Sequence, residues 1–239
     1  MITTALQFSG GKDSLATLHW WRTNHGLHDT LVMWTNTGLA YPEVIECMER
    51  TRATVRHFLE IETDAAANIR ANGYPSDVVP INNTPIGKAF CESATGPLIQ
   101  PWVSCCSANL WQPMQDAVLS RGIKRVVRGQ RIEETQKATI RNGYVDPETG
   151  IEYLMPIEDW STAQVFAYLR ENDIDVPAYY ASEHTSRDCW ACTAFLGNGG
   201  VERIRALPEQ RRGVVLERLR EIREAIAGDT VFLDACLVS

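Results

Sequence analysis

The chain has 239 residues, 44% of them hydrophobic and 22% charged, and carries 23 Lys+Arg against 30 Asp+Glu for a formal charge of -7. That length and apolar share suit one large α/β domain with a sizeable core. The acidic balance argues against a long nucleic-acid footprint but leaves room for a small basic pocket, and no stretch approaches the roughly 20 apolar residues of a membrane span.

Thr3–Phe8 is a short apolar run closed by Ser9-Gly10-Gly11, which predicts a buried strand. Ser14–Arg22 follows with Leu15, Leu18 and Trp21 at helical spacing. Thr30–Thr35 predicts a second strand, ended by Asn36-Thr37-Gly38. Pro42, tolerated in a first turn, opens a helix expected to reach about Phe58, with Leu59–Ile61 a candidate third strand. Residues 64–101 are mixed and broken by Pro and Gly, and no element is assigned there. Trp111–Ser120 predicts a helix, Arg125–Arg128 a buried strand and Ile151–Met155 an edge strand. Ser161 is the expected N-cap of a helix over Thr162–Glu171. Val201–Ala227 is charged and helical, divided by Pro208. Strand and helix patterns alternate through the first two thirds, which predicts a parallel sheet with helices on both faces. One α/β domain with a helical C-terminal part is the expectation.

Ser9-Gly10-Gly11-Lys12-Asp13-Ser14 lies where the first strand passes into the first helix. Free amides at a helix start, together with the helix dipole, form an anion site. Gly10 and Gly11 let backbone approach phosphate oxygens without a Cβ. Lys12 adds a mobile positive charge, and Ser9 and Ser14 add hydroxyl donors. The same letters also make an ordinary turn and cap. The stretch is neither G-x-x-x-x-G-K-[ST] nor G-x-G-x-x-G.

In this position SGGKDS resembles the pyrophosphate-binding loop of the PP-loop ATP pyrophosphatases, the adenine-nucleotide α-hydrolase-like proteins. Three later segments resemble the phosphoadenosine phosphosulfate (PAPS) reductase family. They are WTNTGLAYPE (Trp34–Glu43), RGQRIEETQKA (Arg128–Ala138) and MPIEDWSTAQVFAYLRENDIDVPAYY (Met155–Tyr180). The resemblance covers most of Ala5–Phe195. It implies a Rossmann-like sheet binding an adenine nucleotide (APS, PAPS or ATP) at the strand C-termini, as the ligand rule for open α/β sheets also expects. The nucleotide would lie on Ser9, Gly10, Gly11, Lys12, Asp13, Ser14, Thr37, Gly38, Gly129 and Arg131. Residues 1–195 would form the nucleotide-binding domain and 196–239 a helical C-terminal segment and tail. Independently of the resemblance, Arg128, Arg131, Lys137 and Arg141 cluster in an acidic chain and could neutralise a phosphate or sulfate. With Glu133 and Glu134 among them, a solvated charged face is the competing reading.

The opening MITTALQF has no charged n-region, so no secretory signal is expected and the protein reads as cytoplasmic. Seven cysteines then suit metal or redox chemistry better than a disulfide framework. Cys105-Cys106 and Cys189-x-x-Cys192 supply four soft thiolates, which fit an iron–sulfur cluster or structural zinc. The order Cys-Cys, long gap, C-x-x-C is similar to that of the [4Fe–4S]-binding adenylyl sulfate (APS) reductases, and this likeness implies a cluster. Cys47 and Cys91 are expected to be buried structural thiols.

Other features depart from that pattern. Reductases of the family carry a C-terminal Glu-Cys-Gly-(Ile/Leu)-His segment whose cysteine attacks sulfur and is later freed by thioredoxin. Here the end is VFLDACLVS, without the Gly and the His, so Cys236 is a faint echo, and a packed apolar tail thiol is the simpler reading. Ser107-Ala108-Asn109-Leu110 lacks the basic residues that follow Cys-Cys in the reductases. The lysine of SGGKDS is commoner in relatives that cleave ATP between its α and β phosphates. The resemblance along most of the chain nevertheless makes the leading reading thiol-dependent reduction of a sulfonucleotide to sulfite, with Cys236 as nucleophile and a thioredoxin-like reductant. The alternative is an ATP pyrophosphatase-type adenylyltransferase or sulfurtransferase using Lys12 and Mg²⁺, with Asp13 helping to hold the metal and a sulfur acceptor as partner. A non-catalytic nucleotide or redox sensor is a third reading, and homo-oligomerisation stays open.

Overall fold

The computed structural model describes residues 2–90, 95–134, 140–181 and 188–237. Cys91 and Lys137 lie outside the described residues. In chain order the elements begin with β1 (Thr4–Gln7), α1 (Lys12–His25), β2 (Thr30–Asn36), α2 (Pro42–Thr54), β3 (Phe58–Glu62) and α3 (Ala65–Asn72). They continue with β4 (Tyr74–Ser76), α4 (Pro85–Phe90), β5 (Ile99–Pro101), α5 (Trp102–Cys106), α6 (Gln112–Ser120) and β6 (Arg125–Val127). The last are β7 (Tyr144–Val145), β8 (Glu152–Leu154), α7 (Thr162–Glu171), α8 (Val201–Ala206) and α9 (Glu209–Leu237). No described helix is long and apolar enough to cross a membrane.

Two compact units emerge. The first comprises Met1–Asn36, Ala40–Glu62 and Gln112–Asp188; the second comprises Thr37–Leu39, Thr63–Trp111 and Cys189–Ser239. The first holds a six-stranded sheet ordered β3-β2-β1-β6-β8-β7, parallel except for β7 on β8. Side chains alternate across the sheet, and both faces are covered. Ala5, Met33 and Val126 meet Val118 and Ile123 of the α6 region, while Leu6, Val32 and Val127, of opposite parity, are equally buried. Burial on both faces explains why these strands read as unbroken apolar runs. The architecture is mixed α/β with a mostly parallel sheet and a helical C-terminal part, as the alternation predicts.

The chain leaves β1 toward β2 on one side and returns to β6 on the other. That reversal is a topological switch point, and its carboxyl end is where open α/β sheets bind ligands. The second unit holds the parallel pair β4-β5, against which α3, α5 and α9 pack, together with α4 and α8.

Several boundaries differ from expectation. α2 stops at Thr54 because Val55 is extended (φ -115°) and Phe58 pairs with Val32 in β3. β8 is not an edge strand, since β7 pairs along its outer side. Residues 64–101 contain short elements where none was assigned. α9 runs past Ala227 and Gly228 to Leu237. Cys236 lies exposed in its last turn, not packed in an apolar tail. α7 opens as expected, with a full capping box: Ser161 accepts from the Gln164 amide while the Gln164 side chain accepts from the Ser161 amide.

Candidate functional site

The segments after β1 and β6 meet at the switch point. Gly10 has φ +74°, a left-handed conformation that favours glycine, and a Cβ there would stand 3.1 Å from Met48 Cε. Beneath it the Cys47 thiol donates weakly to the Gly10 carbonyl at 3.9 Å; burial pushes this thiol up, as befits a structural cysteine. Gly129 serves a different purpose. A Cβ on it would lie 2.9 Å from the carbonyl carbon and oxygen of Asp13, so only glycine lets the β6 exit touch the α1 start.

α1 begins at Lys12 with Gly11 as its N-cap and no side-chain cap. The Lys12 amide donates to the Tyr180 hydroxyl at 3.0 Å. Ser14 Oγ donates back to the Gly11 carbonyl at 2.9 Å, and Ser9 Oγ donates to Ser14 Oγ at 3.3 Å. The first turn of α1 thus presents backbone amides that no side chain of its own N-cap covers.

Two cations sit here, both buried. The Lys12 side chain is 1% exposed, and its ammonium donates to Asp13 at 2.6 Å and to Glu134 at 2.7 Å. Burial alone would lower the Lys12 pKa, but Asp13 and Glu134 together raise it above the usual lysine value. Arg131 is wholly buried. Its Nε donates to Asp13 (2.6 Å), Nη1 to Glu133 (2.7 Å) and the Trp160 carbonyl (2.9 Å), and Nη2 to Glu134 (2.9 Å) and Thr162 Oγ1 (3.2 Å). A guanidinium has five N–H donors, and all five are engaged within the protein. Burial and the Glu134 charge raise the Asp13 carboxyl against the pull of Lys12 and Arg131. The other expected basic residues go elsewhere. Arg128 lies over the Tyr153 ring at 4.7 Å, and Arg141 pairs with Glu158 at 3.7 Å.

The cysteine pairs belong to the second unit. Cys105 and Cys106 end α5, half-buried; Cys189 and Cys192 flank a tight turn in which the Cys192 amide donates to the Cys189 carbonyl at 3.4 Å. Burial and the neighbouring Cys192 push the Cys105 thiol up to about 11, with Asn109 pulling the other way. Thr37 hydrogen-bonds with Cys189 Sγ at 3.2 Å, and the Leu39 carbonyl accepts from the Trp190 amide at 3.0 Å. Thr37 and Gly38, also expected on a nucleotide, lie in the turn that receives the C-x-x-C loop. None of the described cysteines is in a disulfide, and among the described residues no three His, Cys, Asp or Glu side chains converge as ligands of one metal ion.

A family model described as phosphoadenosine phosphosulfate reductase domain matches residues 3–195. The chain belongs to this family. It is 28% identical over 165 residues to an adenosine 5'-phosphosulfate reductase of Burkholderia cepacia, covering 69% of this chain and 60% of that protein. It is 26% identical over 177 residues to the protein of the same name from Neisseria meningitidis, covering 72% and 64%. The match thus spans less than two thirds of these relatives' length. Among solved structures, the phosphoadenylyl-sulfate (PAPS) reductase of Candida auris, a phosphate complex, is similar at a TM-score of 0.51 and 16% identity, covering 79% of this chain and 82% of that one. At that identity the likeness speaks to the fold.

Around its C-x-x-C loop this PAPS reductase family member places residues that motif reading misses. Arg203 donates to the carbonyls of Cys192 (3.3 Å) and Ala194 (3.0 Å), Arg218 donates to the carbonyl of Ala191 (3.3 Å), and Arg211 stacks on Trp190 at 5.2 Å. Arg211 and Arg218 are seven apart on α9, which puts them on one helix face. That spacing was the available signal. Asp77 accepts from the amides of Phe195 and Leu196 at 3.0 Å each, fixing the chain just beyond the loop.

Proposed function

We propose that this chain binds a sulfonucleotide, APS or PAPS, with its anionic end on Ser9–Ser14, and reduces it to sulfite with a thiol. The observation that carries the reading is the β1–α1 junction of a chain in this family: a glycine turn, an uncapped helix start and a buried lysine at the switch point of a parallel sheet. Cys236, exposed on α9, is the proposed nucleophile. Its thiolate attacks the sulfur, the S–O bond to the α-phosphate breaks, and the adenosine phosphate leaves with the bonding pair. A thioredoxin-like dithiol then attacks the enzyme thiosulfonate, closes to a disulfide and releases sulfite.

Cys105, Cys106, Cys189 and Cys192 would hold a [4Fe–4S] cluster. The donor set supports this: two pairs of soft thiols, with Cys192 near enough to help raise the Cys105 thiol, and guanidinium groups of Arg203, Arg211 and Arg218 on the backbone and indole of the C-x-x-C loop. When bound, such a group supplies a charged, polarisable centre. Arg203, Arg211 and Arg218 orient the loop that carries Cys189 and Cys192.

Lys12 favours a second reading, cleavage of ATP between its α and β phosphates with Mg²⁺, because it places an ammonium beside the helix start where a pyrophosphate would develop charge. One anaerobic experiment separates the two. Wild type and Cys236→Ser are supplied with APS or PAPS plus a dithiol, and separately with ATP and Mg²⁺. Sulfite from wild type and none from Cys236→Ser supports the first reading. Equal sulfite from both removes Cys236 from the mechanism. Pyrophosphate without sulfite favours the second.

A further inference from the structure

Three carboxylates, Asp13, Glu133 and Glu134, face two cations, Lys12 and Arg131, at the α1 start. With all of them ionised the cluster carries an excess negative charge at the place where an anion is to bind. Every donor of Arg131 and two of the three of Lys12 are already taken, and both side chains are buried. An arriving anion reaches Arg131, and can bridge it to Lys12, only by displacing a carboxylate.

The three carboxylates are not equivalent. Asp13 belongs to the first turn of α1 and is 13% exposed. Glu133 accepts from the amide (2.5 Å) and hydroxyl (2.8 Å) of Thr162 as well as from Arg131, so it braces the start of α7. Glu134 is 43% exposed, and its Oε1 alone bridges Lys12 and Arg131 at 2.7 and 2.9 Å. Among the described residues it holds only the two cations, and at 43% exposure it has room to swing to water.

We propose that Glu134 is a built-in competitor: its carboxylate occupies the anion's place on Lys12 and Arg131, and binding of a phosphate or sulfate group displaces it. Glu134 thereby sets the threshold for ligand affinity and selects anions able to make two charge-assisted bonds at once, as a diphosphate or sulfophosphate end can. The inference rests on the reading that Ser9–Ser14 binds the nucleotide's anionic end.

The test is the affinity of inorganic pyrophosphate, with EDTA and with Mg²⁺, for wild type, Glu134→Gln and Lys12→Ala. Glutamine keeps the length and the acceptor oxygen but not the charge. Glu134→Gln is expected to bind pyrophosphate roughly tenfold more tightly, because a like charge leaves the site, while Lys12→Ala binds more weakly. Unchanged or weaker binding by Glu134→Gln, with Lys12→Ala still weakened, overturns the competitor and leaves the loop reading standing. Weaker binding of Glu134→Gln confined to Mg²⁺ overturns it in favour of a cation held by Asp13 and Glu134. Equal affinity of Lys12→Ala and wild type sinks the loop reading itself. Should Glu134→Gln fail to fold, the carboxyl ¹³C signal of Glu134 in wild type decides. It moves on saturation with pyrophosphate if the carboxylate is displaced, and a stationary signal overturns the proposal.

Discussion

Arg131→Met is expected to destabilise the first unit by about 1–3 kcal/mol, the range for buried polar groups left unsatisfied, since Lys12 still pairs with Asp13 and Glu134. The side chain is wholly buried and binds three carboxylates, one backbone carbonyl and one hydroxyl. Methionine fills much of the space but returns no donor. Asp13 at the start of α1 and Glu133, which braces the start of α7, would lose the group that ties them together. Denaturant unfolding measures the effect, and a shift under 1 kcal/mol would refute this assignment. The same network sets an acid limit. Hydrogen bonds from Arg131, then from Thr162, hold Glu133 down at about 2, below the ordinary 4.5. A depressed carboxylate stabilises the folded chain above its unfolded pKa and loses that contribution as pH falls through its folded one. The Glu133 contribution is therefore complete above about pH 4.5 and gone near pH 2, and Glu133→Gln should flatten that limb.

Cys189→Ser and Cys192→Ser are each expected to remove most of the iron and acid-labile sulfide from protein prepared without oxygen, whereas Cys47→Ala retains them. The contrast follows from placement. Cys47 is 2% exposed and packed beneath the Gly10 turn in the first unit. Cys189 and Cys192 lie half-buried on a turn whose carbonyls are held by Arg203 and Arg218. Serine preserves volume but is a poor ligand for iron. Zinc with no sulfide in wild type would replace the cluster by a structural ion, and neither metal in any preparation would remove the metal reading. Iron retained by both serine variants would move the ligands elsewhere.

What could be read from sequence was local. The strand, two glycines and helix of residues 4–25 announce themselves within a few turns of chain, as does the capping box of Ser161 and Gln164. What could not be read depends on partners distant in sequence. β4 and β5 have three residues each and exist because Gly73 admits the Leu98 backbone, where a Cβ would lie 2.0 Å from the Leu98 carbonyl carbon. They are also held by Thr193, which donates to the Pro75 carbonyl at 2.5 Å. No periodicity encodes such contacts. Arg131 is the instructive case at the site. Its charge made it a candidate anion ligand, and its partners at 13, 133, 134, 160 and 162, which engage every donor it has, could not be read from sequence. The hydrogen bond of Thr37 with Cys189 was equally hidden. In both, residue type was legible and the protein partner was not.

The central claim is that the β1–α1 crossover holds the anionic end of an adenosine derivative. Calorimetric titration of APS into wild type and Lys12→Ala tests it most directly. The account predicts affinity about 10–100-fold lower in the variant, the worth of a charged hydrogen bond. Identical isotherms, with both proteins folded, would contradict it.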